Sequence, residues 1–166
     1  MKRSKVMDAA STAFAAYAGG VMHLLDSSAE RCAGGALIGS GLEEDVIVPV
    51  HQKSTTVIAR HNEFIGNSSG VTAENHAGVS VTDCCTKHDT SGAAFVARGQ
   101  GYGRARLCVH HCRVMMQLER WGSNMHIRHR ACRAEDGGLL KMDGVVVNSD
   151  LSRSGEFDES QPRITS

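Results

Sequence analysis

Aromatic side chains are scarce in this chain of 166 residues, which contains one Trp, two Tyr and four Phe. Any core must therefore be built mainly from Val, Ile, Leu, Met and Ala. The chain also lacks net charge, because 18 basic residues balance 18 acidic ones. This balance gives no basis for a nucleic-acid partner, since nucleic-acid-binding domains usually carry a basic surplus.

Long apolar stretches are missing too, so no segment can cross a bilayer and we expect no membrane partner. The basic residues at positions 2–5 are not followed by the apolar segment of a signal peptide. Six cysteines fall well short of the density of small disulfide scaffolds. The sequence predicts a cytoplasmic protein with a single domain, 1–166, in which 148–166 form a polar, loosely structured tail.

Hydrophobic spacing predicts a mixture of helices and strands. The apolar residues between 105 and 116 recur at i, i+3, i+4, i+7, i+10 and i+11, which is one face of a long helix. Further helices are predicted over 10–25, with Asp8 as N-cap, and over 135–142. A β-hairpin is predicted over 55–66, and single strands over 77–81, 93–97, 125–130 and 145–147. No internal repeat is evident, and the order of elements predicts a mixed α/β domain.

A glycine-rich loop at 98–103 lies between a predicted strand and the predicted long helix. Glycine lets a phosphate approach the backbone closely, and a helix N-terminus adds unpaired N–H groups and the positive end of the helix dipole. Such a junction can bind a pyrophosphate. Basic residues also far outnumber the one carboxylate, Glu119, between 98 and 133, which suits a polyanionic ligand. The candidate ligand-binding residues are Arg98, Gly99, Gln100, Gly101, Tyr102, Gly103 and Arg104.

The loop does not fit the two commonest phosphate-binding motifs. A Walker loop needs Lys followed by Ser or Thr, whereas Arg104 and Ala105 stand here, and the glycine spacing differs from the dinucleotide fingerprint. The loop does match the pattern Q/R-x-x-G-x-G/A, and with it the chain resembles the GNAT family of N-acetyltransferases. The hairpin over 57–66 and the segment 139–145 are similar to further segments of that family.

This resemblance implies a GNAT-like α/β (α+β) fold, with a mostly antiparallel central sheet flanked by helices. It implies acetyl-coenzyme A as co-substrate and transfer of its acetyl group to a primary amine of a small molecule or a protein. A backbone N–H of the central strand would stabilise the oxyanion. The resemblance adds Phe95, Val96 and Ala97 of that strand, and Arg133 at a family asparagine position, to the cofactor-binding residues.

The catalytic groups are predicted from residue type and position. Asp83, His88 and Glu74 are the candidates for the base that takes the proton of the amine, with Asp83 and His88 preferred. The family's acid is a Tyr, and Leu140 stands at that position. An alternative function is therefore a non-catalytic acyl-coenzyme A-binding or regulatory module of the same fold.

A third possibility is a metal-binding domain. The candidate zinc ligands are Cys84, Cys85, His88, Cys108, His110, His111 and Cys112, but no paired C-x-x-C motif is present. The sequence therefore predicts no structural metal. It leaves a monomer and a homodimer equally open.

Overall fold

Seventeen strands and no helix form the part of the chain that the structure describes. The structure is a computed structural model, and it describes residues 1–42, 54–87, 93–99, 104–121, 124–127 and 131–151. The strands are β1 (Lys5–Met7), β2 (Phe14–Tyr17), β3 (Val21–Leu25), β4 (Ser28–Glu30), β5 (Leu37–Ser40), β6 (Thr55–Arg60), β7 (Glu63–Ile65), β8 (Val71–Glu74), β9 (Ala77–Thr82), β10 (Cys85–Lys87), β11 (Phe95–Arg98), β12 (Arg106–His110), β13 (Arg113–Trp121), β14 (Asn124–Ile127), β15 (Cys132–Glu135), β16 (Leu139–Asp143) and β17 (Val146–Leu151).

The strands stack into three sheets that the chain visits in turn. Sheet 1 contains β1, β4, β7, β10, β13 and β17, with β14 as an antiparallel edge strand on β13. Sheet 2 contains β2, β5, β8, β11 and β15, and sheet 3 contains β3, β6, β9, β12 and β16. Apart from β13 with β14, every strand pair is parallel. The described chain is thus a parallel β-solenoid whose coils each supply one strand to each sheet.

The core runs along the inside of this solenoid. Inward residues alternate with outward ones in the strands, as in β9, where Ala77, Val79 and Val81 are buried. Phe64 and Phe95 are the largest side chains that are fully buried. Aliphatic residues supply most of the remaining core, as the scarcity of aromatic residues predicted.

The predicted α/β fold with an antiparallel sheet and flanking helices is wrong. The segments 10–25 and 105–116, predicted as helices, contain β2 with β3 and β12 with β13. In the second segment the buried positions are 105, 107 and 109, then 112, 114 and 116. Two alternating runs joined by a two-residue corner thus place buried residues at i, i+4, i+7 and i+11, which is also the spacing of a helix face.

Other predicted elements are partly right. The strand over 77–81 is confirmed as β9, and those over 93–97 and 145–147 correspond to β11 and β17. The hairpin over 55–66 is wrong because β6 and β7 belong to different sheets. The short helix over 135–142 is replaced by a corner and β16, and β17 extends to Leu151, inside the predicted polar tail.

The corner from sheet 3 to sheet 1 has the same form in every coil. Two residues separate the strands there, and the first of them has a positive φ. A residue with positive φ turns the chain sharply, and Asn, Asp and His tolerate this conformation better than most residues. The residues at this position, from the first coil onward, are Asp26, His61, Asp83, His111 and Gly144.

Asn62 is the second residue of this corner and is buried inside it. Its Oδ1 accepts a hydrogen bond from the Ser27 backbone N–H at 2.9 Å, and its Nδ2 donates to the Leu24 carbonyl at 3.1 Å. The side chain therefore joins two successive coils through backbone groups at their corners. Asn67 does the same at the next corner, towards Cys32 and Ala29.

We expect Asn62→Ala to lower the free energy of unfolding by about 2 kcal/mol, because it leaves the buried backbone N–H of Ser27 without its partner. Urea unfolding followed by circular dichroism measures the change. Thr56→Ala, on the exposed face of β6, is the control and should change stability by less than about 0.5 kcal/mol. A loss in Asn62→Ala no larger than in the control contradicts the proposed role.

The two corners beside sheet 2 vary in length, unlike the corner between sheets 3 and 1. Residues 41–54 separate β5 from β6, whereas only 75–76 separate β8 from β9. Residues 88–94 and 99–105 likewise extend both corners of the coil that contains β11. The solenoid therefore absorbs its insertions next to sheet 2 and leaves sheet 3 joined to sheet 1 by short turns. No helix in the described residues could span a membrane.

Candidate anion-binding site

The predicted cofactor residues are divided between the core and the surface of sheet 2. Phe95 and Ala97 point inward and are fully buried, so their side chains belong to the core. Val96 and Arg98 point outward from β11, and Val96 is nevertheless only 7% exposed. Gly99 is buried at the end of β11 and Arg104 is exposed just before β12.

Part of the predicted site falls outside the described residues. Gln100, Gly101, Tyr102 and Gly103 lie outside the described residues, as does the candidate base His88. The next element after the loop is β12, which is a strand and not a helix. The helix N-terminus that was to bind a pyrophosphate is thus absent from the described part of the chain.

Arg98 and Arg133 come together on the outer face of sheet 2, but carboxylates neutralise both. Arg98 lies between Glu74 and Glu135, with its Nη1 3.7 Å from Glu74 Oε1 and its Nε 3.1 Å from Glu135 Oε2. Arg133 is paired with Glu135 as well. Two cations and two carboxylates cancel here, so this group has little attraction left for an anionic ligand.

The candidate bases Asp83 and Glu74 lie on different parts of the solenoid. Glu74 belongs to the ion-pair group on sheet 2, whereas Asp83 lies at the corner between sheets 3 and 1. At that corner His61 stands between two carboxylates, with Nδ1 3.5 Å from Asp26 Oδ1 and Nε2 3.7 Å from Asp83 Oδ2. Asp83 therefore faces an imidazole and not the predicted cofactor strand.

The outer face of sheet 1 also pairs its charges from one coil to the next. Lys5 Nζ lies 3.9 Å from Glu30 Oε2, and Lys87 is paired with Glu63, which raises the pKa of the Lys87 ammonium. At the edge of this face, hydrogen bonds from the Arg31 guanidinium lower the pKa of the Asp8 carboxyl.

The outer face of sheet 3 carries three cations without carboxylate partners among the described residues. Arg60 on β6, Arg106 on β12 and Lys141 on β16 are exposed, and none has an ion pair among the described residues. Among the described residues, Asp143 is the only carboxylate that projects outward from a strand of this sheet. Its Oδ2 lies 3.9 Å from His110 Nδ1. This face therefore keeps a positive charge that a ligand can neutralise.

The floor between these cations is made of small side chains on β9. Its outward residues are Gly78, Ser80 and Thr82, and a Cβ added to Gly78 would meet no atom within 4 Å. The neighbouring strands β6 and β12 place larger residues on either side. We call this region the trough, with floor residues Gly78, Ser80 and Thr82 and with walls formed by the outward residues Thr56, Ile58, Arg60, Arg106, Cys108 and His110.

The candidate metal ligands other than His88 lie in the described residues. Among the residues described, no group of three or more His, Cys, Asp or Glu side chains is placed to hold a metal ion. Cys84 and Cys112 stack inside the corner that also contains Asn62. Hydrogen bonds to the Cys84 sulfur, the strongest from the Cys112 thiol and weaker ones from Asn62, lower the pKa of Cys84. They outweigh the burial of this side chain, which is only 2% exposed and would by itself raise the pKa. This pair belongs to the core and faces no ligand.

Comparison with known proteins adds no constraint. No protein-family model, no curated protein and no solved structure matches this chain. The resemblance to the GNAT family therefore stays a prediction based on the loop residues.

Sequence reasoning did not identify the trough, although it named Cys108 and His110 as candidate zinc ligands. Thr56, Ile58 and Arg60 alternate with buried residues along β6, and the same alternation continues through β9 and β12. This period of two was the available signal, but it identifies outward residues only after the strands have been assigned.

Proposed function

We propose that the outer face of sheet 3 binds an extended acidic segment of a protein partner. The observation that carries this proposal is the set of unpaired cations, Arg60, Arg106 and Lys141, around a floor of small residues. The protein then acts as a binding module, with the solenoid as a rigid support for one recognition face.

The shape and polarity of the trough favour an extended peptide. Gly78 leaves room for a backbone to approach the sheet closely, and the hydroxyls of Ser80 and Thr82 can each donate and accept hydrogen bonds. A strand spacing of about 4.8 Å and a rise of about 3.3 Å per residue put Arg106 about 8 Å from Lys141. Carboxylates at alternate positions of an extended peptide recur every 6.6–6.8 Å or so, which long side chains can match.

A nucleic acid suits this face less well. The same spacing puts Arg60 about 16 Å from Arg106, whereas duplex DNA carries a charge about every 1.7 Å along its axis. No Phe, Tyr or Trp projects outward from the described strands of sheet 3, so the large aromatic platforms on which bases usually stack are missing there. The cations on this face are few and lie among hydroxyl groups, so they match a peptide that carries widely spaced carboxylates.

Acetyl transfer from acetyl-coenzyme A stays a prediction, as do a small-molecule or protein amine as acceptor and a monomer or homodimer as the assembly. Its main structural premise was a pyrophosphate site at a helix N-terminus, and the described residues contain no helix. A cytoplasmic location remains part of the proposal. It is supported by six free thiols, which a reducing compartment maintains.

A pair of matched peptides tests the binding function. We expect a fluorescein-labelled peptide that alternates Glu with Ser to bind at least about tenfold more tightly than the same peptide with Gln in place of Glu. Fluorescence anisotropy measures both affinities. The difference should shrink as salt rises from 0.1 M to 1 M, because the screening length falls from about 10 Å to about 3 Å.

Equal affinities for the two peptides would refute an electrostatic site for acidic segments. A single-stranded oligonucleotide of the same net charge is included as a competitor. Tighter binding of the oligonucleotide than of the Glu peptide would replace the proposed partner with a nucleic acid.

A further inference from the structure

Four chemically different residues form one line across sheet 3. Strand register aligns Arg60 with Thr82, Thr82 with His110, and His110 with Asp143, on four successive strands. All four occupy outward positions. We call this line the catalytic row, and it crosses the end of the trough nearest to the corner with sheet 1.

The order of residues in the row is that of an activated nucleophile. A hydroxyl nucleophile needs a base beside it, and the base needs a third group that orients it. Thr82 supplies the hydroxyl, His110 the imidazole and Asp143 the carboxylate, with Asp143 Oδ2 3.9 Å from His110 Nδ1. Adjacent strands lie about 4.8 Å apart, so each of these side chains stands beside the next. The distance between His110 and Asp143 is longer than a hydrogen bond, and catalytic contacts of this kind often tighten only when a substrate binds.

Arg60 completes the row on the other side of Thr82. It has no carboxylate partner among the described residues, so its guanidinium is available to a developing negative charge. A fixed positive group beside the attacked carbonyl stabilises the oxyanion that forms when the nucleophile adds. The row next to it contains Ser80, Cys108 and Lys141 in register but no carboxylate, so it lacks the group that would orient a base.

We propose that the catalytic row hydrolyses acyl esters through Thr82. The Thr82 hydroxyl oxygen attacks the ester carbonyl while His110 accepts the hydroxyl proton, and the alcohol then leaves with that proton. An acyl-threonine ester remains. Water adds to this ester with His110 again as base, the Thr82 oxygen takes the proton back, and the carboxylic acid is released. Asp143 is a positioning residue that holds His110.

This activity goes beyond the binding of an acidic segment, although both use the outer face of sheet 3. An uncharged substrate, 4-nitrophenyl acetate, tests the catalytic row alone, because it needs no unpaired cation for binding. If the peptide does not bind, the ester assay still tests the catalytic row. If the ester is not hydrolysed, the peptide titration still tests the binding of acidic segments.

Two matched pairs of variants decide the proposal. Thr82→Val and His110→Gln should each lower the rate of 4-nitrophenolate release at least about 100-fold, which is the usual contribution of a general base. Thr72→Val on sheet 2 and His23→Gln on β3 make the same chemical changes away from the row and should keep the wild-type rate. Circular dichroism confirms that the four variants are folded.

Mass spectrometry of the quenched reaction supplies the second readout. We expect one acetyl group on Thr82 in the wild-type protein and none at that position in His110→Gln. Asp143→Asn should lower kcat with KM unchanged, and Asp143→Glu should recover part of the loss, which a merely structural role would not produce. Wild-type rates in folded Thr82→Val, or no acetyl group on Thr82 during wild-type turnover, would overturn the proposal.

Discussion

Gly70→Ala should lower the free energy of unfolding by at least about 3 kcal/mol, whereas Gly78→Ala should not lower it. A Cβ at Gly70 would lie 2.3 Å from the Ala94 carbonyl oxygen, and that oxygen accepts the Val71 backbone N–H at 2.8 Å. The methyl group must push β8 away from β11, and forced overpacking of this kind typically costs about 1–3 kcal/mol or more. Broken hydrogen bonds between the strands add to that loss.

Gly78 is the matched control because it occupies a strand of the same solenoid, with open space outside it. Alanine there should be neutral or should stabilise by about 0.5 kcal/mol, since the unfolded chain becomes less flexible. Urea unfolding of both variants gives the comparison. Equal stabilities would show that β8 and β11 are not stacked as closely as described.

The double substitution of Arg60 and Arg106 by Gln should weaken binding of the alternating Glu peptide about 100-fold. Each arginine is expected to make one charge-assisted contact with a carboxylate, worth about tenfold in affinity, or about 1.4 kcal/mol. The two sites lie about 16 Å apart, so their effects should add. Neither arginine has an ion-pair partner among the described residues, so its removal leaves no carboxylate unpaired.

Arg98→Gln removes the same charge from the same kind of residue on the other face. Arg98 is held between Glu74 and Glu135 on sheet 2, so its loss should change the affinity less than about threefold. Fluorescence anisotropy compares the double variant with this control at one salt concentration. If Arg98→Gln weakens binding more than the double variant does, the peptide binds to sheet 2 and not to sheet 3.

Local sequence predicts the strands better than it predicts their arrangement. Ala77, Val79 and Val81 alternate with polar or small residues, so β9 was evident from the sequence. The turn after β6 was also evident, but His61 with positive φ is compatible with a hairpin as well as with a solenoid corner. Choosing between them depends on which distant strand pairs with β6, and the local pattern does not contain that information.

The repeat escaped notice because its period changes from coil to coil. The chain advances 22 residues from Val57 to its neighbour Val79, 28 from Val79 to Leu107 and 33 from Leu107 to Leu140. Repeat architectures are normally recognised by self-similarity at a fixed period. Insertions beside sheet 2 remove that regularity while the inward positions still stack.

The candidate site was hidden for the same reason. Thr82 is 22 residues from Arg60 and 28 from His110, so the sequence contains no motif that joins them. The glycine-rich loop was prominent only because its residues are contiguous. In a solenoid, side chains become neighbours through the strand register, and strand pairs connect residues far apart in the chain.

Because the two-residue corner between sheets 3 and 1 is constant, whole coils can be added to the solenoid at this corner. Residues 61–82 contain one whole coil, from a corner of this kind to the end of β9. A second copy placed after Thr82 would join the old coil through the same turn and pair in the same register. One more strand would then separate Arg60 from Arg106, so duplication of this coil would lengthen the distance between the two cations from about 16 Å to about 20 Å.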